Sequence, residues 1–109
     1  MSVGGFIISG GNDSTQVVVR GLGPTLAQFG VFGALANPFV SLFDGNGNVV
    51  YTNNNWKDTQ QTAIQATGLA PPNDLESAIL ATLPAGNYTA ILSGVNGTSG
   101  VGLLEVYAR

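Results

Sequence analysis

Phe39-Val40-Ser41-Leu42-Phe43-Asp44-Gly45-Asn46-Gly47-Asn48-Val49-Val50-Tyr51-Thr52 reads as a strand, a tight turn and a returning strand. Asp-Gly and Asn-Gly steps reach positive φ at low cost, as a hairpin turn requires, and the flanking residues are β-branched or aromatic. The strand is placed at 38–43 and its return at 48–52. The same pattern runs outward in both directions. Upstream, 3–9 and 16–20, the latter centred on Val17, Val18 and Val19, flank Gly10-Gly11-Asn12-Asp13-Ser14 and are expected to pair as a hairpin. Gly21-Leu22-Gly23-Pro24 interrupts the β pattern, and 26–35 (Phe29, Val31, Phe32, Leu35) reads as a packed loop with a short helical turn. Downstream, three further strands are expected at 76–83, 86–93 and 101–107. In the second, Tyr88, Ala90 and Leu92 alternate with Thr89, Ile91 and Ser93; in the third, Leu103, Glu105 and Tyr107 alternate with Leu104 and Val106. The first is expected to turn Ala78, Leu80 and Leu83 towards a core. One short helix is expected over 58–67, with Asp58 or Thr59 as N-cap and Gly68 as stop. Seven to eight short strands at this spacing predict an all-β fold. We expect an antiparallel, jelly-roll-like sandwich forming one domain over 1–109.

Composition narrows the chemistry. The chain has three basic and six acidic side chains in 109 residues, with no histidine and no cysteine. Soluble domains average about a quarter charged residues, so this surface is built from Asn, Thr, Ser, Gln and Gly instead. With Arg20, Lys57 and Arg109 as the only cations, there is no patch to neutralise phosphates, which excludes nucleic acid as an expected partner. Disulfides and thiolate sites are absent, and no serine or threonine has a histidine to activate it. No apolar run approaches the roughly 20 residues of a membrane helix. The composition therefore predicts a non-enzymatic protein without a cofactor or metal. Met1-Ser2-Val3-Gly4-Gly5-Phe6-Ile7-Ile8 lacks the features of a secretory signal. The uncharged, amide-rich surface nevertheless favours a secreted protein whose numbering begins at a processed start.

The candidate sites each have a plain alternative. Asp44-x-Asn46-x-Asn48 has oxygen ligands at alternate positions, as calcium loops do, but a hairpin turn accounts for the same residues. Asp58, Asp74 and Glu76 would form an acidic cluster with Asn53, Asn54 and Asn55 if the fold gathered them. Asp74 and Glu76 share a strand face, the arrangement of a glycosidase carboxylate pair. Capping, or an ion pair with Lys57 or Arg20, is the more ordinary use. Trp56 after Asn54 and Asn55 offers an aromatic platform beside amides, which suits a sugar ring, although a lone tryptophan is more commonly core. Tyr51 and Tyr88 are expected to face inward. Asn12, Asn87 and Asn96 each begin an N-glycosylation acceptor triplet, a pattern that arises by chance in so Asn- and Thr-rich a chain.

The N-terminal run is the most suggestive. Val3, Phe6, Ile7 and Ile8 form a short, uncharged, β-prone segment at a free end. It either pairs within its own sandwich or, as strand 1–9, completes the sheet of a neighbouring copy. Strand addition supplies a row of backbone hydrogen bonds, and non-closing contacts of that kind make filaments.

Phe39 to Val50, followed by Asn53-Asn54-Asn55-Trp56 and by Leu83-Pro84-Ala85-Gly86-Asn87-Tyr88-Thr89-Ala90-Ile91-Leu92-Ser93-Gly94, resembles the bacterial pre-peptidase C-terminal type of β-sandwich. With Gly5-Phe6-Ile7-Ile8-Ser9-Gly10 and Val19-Arg20-Gly21-Leu22-Gly23-Pro24-Thr25-Leu26, the whole chain is similar to a repeat of large bacterial cell-surface and secreted proteins. Such repeats end in a valine-tyrosine-aspartate step, where this chain has Val106-Tyr107-Ala108. The resemblance implies an extracellular or cell-surface sandwich with a scaffolding, adhesive or targeting role. Two functions are expected from these readings: a self-associating subunit of a filament or matrix, joined through Val3, Phe6, Ile7 and Ile8, or a polysaccharide-binding module using Trp56, Asn54 and Asn55.

Overall fold

The alternation of Tyr88, Ala90 and Leu92 buries all three, at 7%, 0% and 1% exposure, and the strand that carries them is central to the larger of two sheets. The structure is a computed structural model and describes residues 2–9 and 14–109. Its seven strands are β1 (Ser2–Ile8), β2 (Thr15–Leu22), β3 (Pro38–Asp44), β4 (Val49–Asn53), β5 (Ser77–Leu83), β6 (Gly86–Gly94) and β7 (Leu103–Ala108). Two short helices, α1 (Pro24–Ala27) and α2 (Gln61–Thr67), lie in the connections. One sheet has the order β1-β6-β3-β4 and the other β5-β2-β7, with every strand pair antiparallel. This is the all-β sandwich that the turn spacing predicts. Its main core interleaves Val17, Val19, Ile79, Ala81 and Leu83 of the smaller sheet with Val40, Leu42, Tyr88, Ala90 and Leu92 of the larger.

The expected hairpin of the first two strands does not form. β1 pairs with β6, placing Phe6 opposite Tyr88, whereas β2 lies between β5 and β7. The reason is burial. Val17, Val18 and Val19 are all fully buried, so β2 needs a neighbour on each side and cover on each face, and β5 and β7 take both flanks. The turn residues 10–13, with the acceptor triplet at Asn12, lie outside the described residues.

β5 also departs from expectation. Ile79, Ala81 and Leu83 face the main core, while Ala78 and Leu80 pack outward against Trp56, Ile64 and Ala70. Leu83 therefore sits with the odd-numbered residues, not with Ala78 and Leu80. A strand covered on both faces shows no polar alternation to read.

The hairpin at Asp44 forms as read, with Gly47 at φ 82° and Asp44 Oδ1 accepting from the amides of Asn46 and Asn48 at 2.9 and 3.0 Å. The Leu83–Tyr88 motif is closed by the Tyr88 hydroxyl, which donates to the Pro84 carbonyl at 2.7 Å. Gly68 ends α2 in the left-handed region at φ 76°. The N-cap, however, is Gln60 rather than Asp58 or Thr59, because a 3-10 turn over Trp56–Asp58 delays the helix.

Candidate functional site

A two-sheet sandwich ends in four edge strands, here β1, β4, β5 and β7. Edges expose unpaired backbone donors and acceptors, and proteins ordinarily block them. β5 is blocked over its first half by the chain from the end of β4 to the start of α2. The Glu76 carbonyl accepts from the Trp56 amide at 2.9 Å. Asn53 Oδ1 accepts from the Ala78 amide at 3.0 Å. The carboxamide of Gln60 engages Leu80 twice, donating to its carbonyl at 2.9 Å and accepting from its amide at 3.0 Å. Positions 76, 78 and 80 are the alternate residues whose polar groups point away from β2. Side-chain amides thus stand in for an eighth strand.

β1 has no such cover among the described residues. Its seven residues include no charge and no proline. Of the four side chains singled out in the sequence, two serve the core: Phe6 stacks on Tyr88 with ring centroids 5.6 Å apart, and Ile8 is 8% exposed. The other two face outward, Val3 at 60% and Ile7 at 73% exposure. β1 therefore completes its own sandwich, and among the described residues its outer edge is open. β4 also has no charged residue, with Val49 and Tyr51 at 59% and 44% exposure, but it is irregular: its register against β3 shifts between Leu42 and Phe43, leaving Val50 as an extra residue. Tyr51 is opposite Leu42 and so lies on the core side, but at an edge with no neighbour it stays half in solvent. Between these edges, the register aligns Val3, Ile91, Ser41 and Thr52 in one row and Gly5, Thr89, Phe43 and Val49 in the next. These rows form the sheet's outer face and carry no charge. A shallow groove of about 380 Å³ lies over Phe43, Gly47, Thr89 and Ile91 and is bordered by Asp44 at its turn end.

The acidic residues do not gather. Glu76 is fully buried, and each of its oxygens accepts two hydrogen bonds. Oε2 takes the amides of Gly23 and Thr25 at 2.8 and 3.0 Å; Oε1 takes the Thr25 hydroxyl at 2.6 Å and the Asn73 amide at 3.1 Å. The carboxyl thus caps the N-terminal turn of α1 from 51 residues away in the chain. Asp74 faces solvent and pairs with Lys57 at 3.0 Å, one of the ion pairs expected. Among the described residues no three acidic side chains come together.

Trp56 is 4% exposed and packs with Ile64 and Ala78, so its ring is not an open platform. The Lys57 ammonium lies 5.5 Å from the ring centroid. Asn54 Oδ1, Asn55 Oδ1 and Trp56 Nε1 are buried without a partner in the structure.

One constellation escaped the sequence reading. Arg20 pairs not with Asp74 or Glu76 but with Glu105, its cross-strand neighbour. Its Nε and Nη2 donate to Glu105 Oε1 at 2.9 and 2.6 Å, and Nη1 donates to the Leu69 carbonyl at 3.3 Å. The Tyr107 hydroxyl donates to Glu105 Oε2 at 3.0 Å, and the guanidinium lies 5.2 Å from the Tyr107 ring centroid. Only the β2–β7 register, which the sequence does not announce, brings this group together. It fixes the outer face of the smaller sheet and leaves Arg20 no vacant donor fork for a ligand. Searches of protein-family models, curated proteins and solved structures find no match to this chain.

Proposed function

We propose that the chain is a structural, self-associating β-sandwich, a subunit of an extracellular or cell-surface filament or matrix that grows by strand addition. The observation that carries this reading is the unequal treatment of its edges. β5 is closed over its first half by Asn53, Gln60 and the Trp56 amide, while β1 is uncharged and, among the described residues, uncovered, with Val3 and Ile7 in solvent. A protein that keeps every edge from pairing closes them all. The uncharged outer face adds support, since little repulsion keeps copies apart. The surface setting is supported by the resemblance to bacterial surface repeats.

The test is a Val3→Lys/Ile7→Lys variant followed by light scattering and negative-stain microscopy. The native chain is expected in assemblies much larger than a monomer. The variant is expected to be monomeric with stability within ~0.5 kcal/mol of native, because both side chains are on the surface. A native protein that stays monomeric at high concentration defeats the proposal.

A further inference from the structure

We infer that, given self-association as proposed above, β1 of one copy pairs with β4 of the next, all copies facing the same way, so that the four-stranded sheet continues from subunit to subunit. The argument begins with strand direction. β1 is antiparallel to β6, β6 to β3, and β3 to β4. An even number of alternating strands leaves the two edges running in opposite directions. Setting a second copy beside the first without turning it over therefore brings β1 against β4 as an antiparallel pair. The smaller sheet cannot do this. Its edges β5 and β7 are both antiparallel to β2 and hence run the same way, and β5 is already occupied by Asn53 and Gln60.

Side chains agree with the direction. Over the part of β4 from Tyr51 to Asn53, before its register against β3 shifts, continuing the rows of the sheet across the junction sets Val3 beside the neighbour's Thr52 on the outer face, and Gly4 opposite its Tyr51 on the core side. Gly4 adds no side chain of its own there, and Leu104 Cδ2 lies over it, 3.3 Å from where a Cβ would stand, so the neighbour's half-exposed Tyr51 would meet Gly4 and the edge of Leu104. An aromatic across from an edge glycine is a stabilising cross-strand pair. A β1–β1 junction would instead place the Gly4-Gly5 step of each copy near the centre of the contact, with little to pack. Neither edge carries a charge to be desolvated or opposed. The contact is head-to-tail and does not close, so it extends indefinitely, and the natural twist of the sheet makes it a helix.

Because the chain has no cysteine, introduced thiols report without background. Val3→Cys, Thr52→Cys and the double variant are assembled, treated with a short bis-maleimide and run on denaturing gels. The expected result is a ladder of covalent multimers from the double variant, with each single variant remaining mostly monomeric. Covalent dimers from Val3→Cys alone would assign a β1–β1 junction and overturn the inference while leaving self-association intact. Assemblies visible by light scattering but without a ladder would overturn it too. Absence of assemblies in the native chain would remove the proposed function itself.

Discussion

At Glu76 one residue holds three chain segments together: its carboxyl binds the Gly23–Thr25 turn and Asn73, and its main-chain carbonyl binds the Trp56 amide. All four partners of the side chain are donors, which suits an ionised carboxylate that only accepts. In Glu76→Gln the amide nitrogen is best placed where Oε1 stood, because the Thr25 hydroxyl can turn and accept from it, whereas the Gly23 and Thr25 amides keep the remaining oxygen. The buried Asn73 amide then loses its acceptor. We expect the variant to lose about 1–3 kcal/mol, read as a lower urea midpoint at unchanged slope. An unchanged midpoint would mean that the four bonds contribute nothing net. The neighbouring glycines act sterically. A Cβ on Gly21 would stand 2.6 Å from both Val40 Cγ2 and Ser77 Oγ, and one on Gly23 would overlap the Leu35 carbonyl oxygen. Gly23→Ala must therefore displace backbone, and is expected to be among the most destabilising single changes, measured by the same titration. In sequence, Glu76 is visible only as an acid at the head of an apolar strand. Its donors are backbone amides that no pattern announces.

Strands and turns were legible because their signals are local. Asp44 to Gly47 names a hairpin by its own chemistry, and Gly68 stops α2 as read. Which strand receives which neighbour is not local. The glycines after β1 announce a reversal of the chain but do not say that the chain changes sheets there. β5 hid its orientation because Trp56 and Ile64 cover the face that would otherwise be polar. Its edge was hidden for a related reason: Asn53 and Gln60 look like ordinary surface amides until the fold sets them against Ala78 and Leu80. The open edge, by contrast, was legible in Val3, Phe6, Ile7 and Ile8, although only Val3 and Ile7 of these remain outside. Gln60→Ala tests the closed edge. It removes both bonds to Leu80 and should lower stability by about 1–2 kcal/mol. It should also give β5 a pairing edge, seen as broader, less regular assemblies by microscopy. Assemblies of native regularity from Gln60→Ala would show that other contacts keep β5 closed.

For the molecule as a whole, the scarcity of charge sets how assembly responds to solvent. Arg20 and Lys57 are already engaged with Glu105 and Asp74, and the two edges proposed to meet carry no charge. Screening therefore has almost nothing to act upon at the junction. Raising sodium chloride from about 0.1 M to about 1 M shortens the Debye length roughly three-fold, yet the concentration at which assemblies first appear should stay within about two-fold. Backbone pairing and apolar contact should respond to different solutes. Sulfate, which strengthens apolar burial, should lower that concentration, and sub-denaturing urea, which solvates apolar and peptide groups, should raise it. Sedimentation of the assembled fraction across these three series separates the alternatives. Dissolution by sodium chloride alone would place charged residues at the junction. That outcome rules out an interface built from β1 and β4, because neither strand has a charge to contribute.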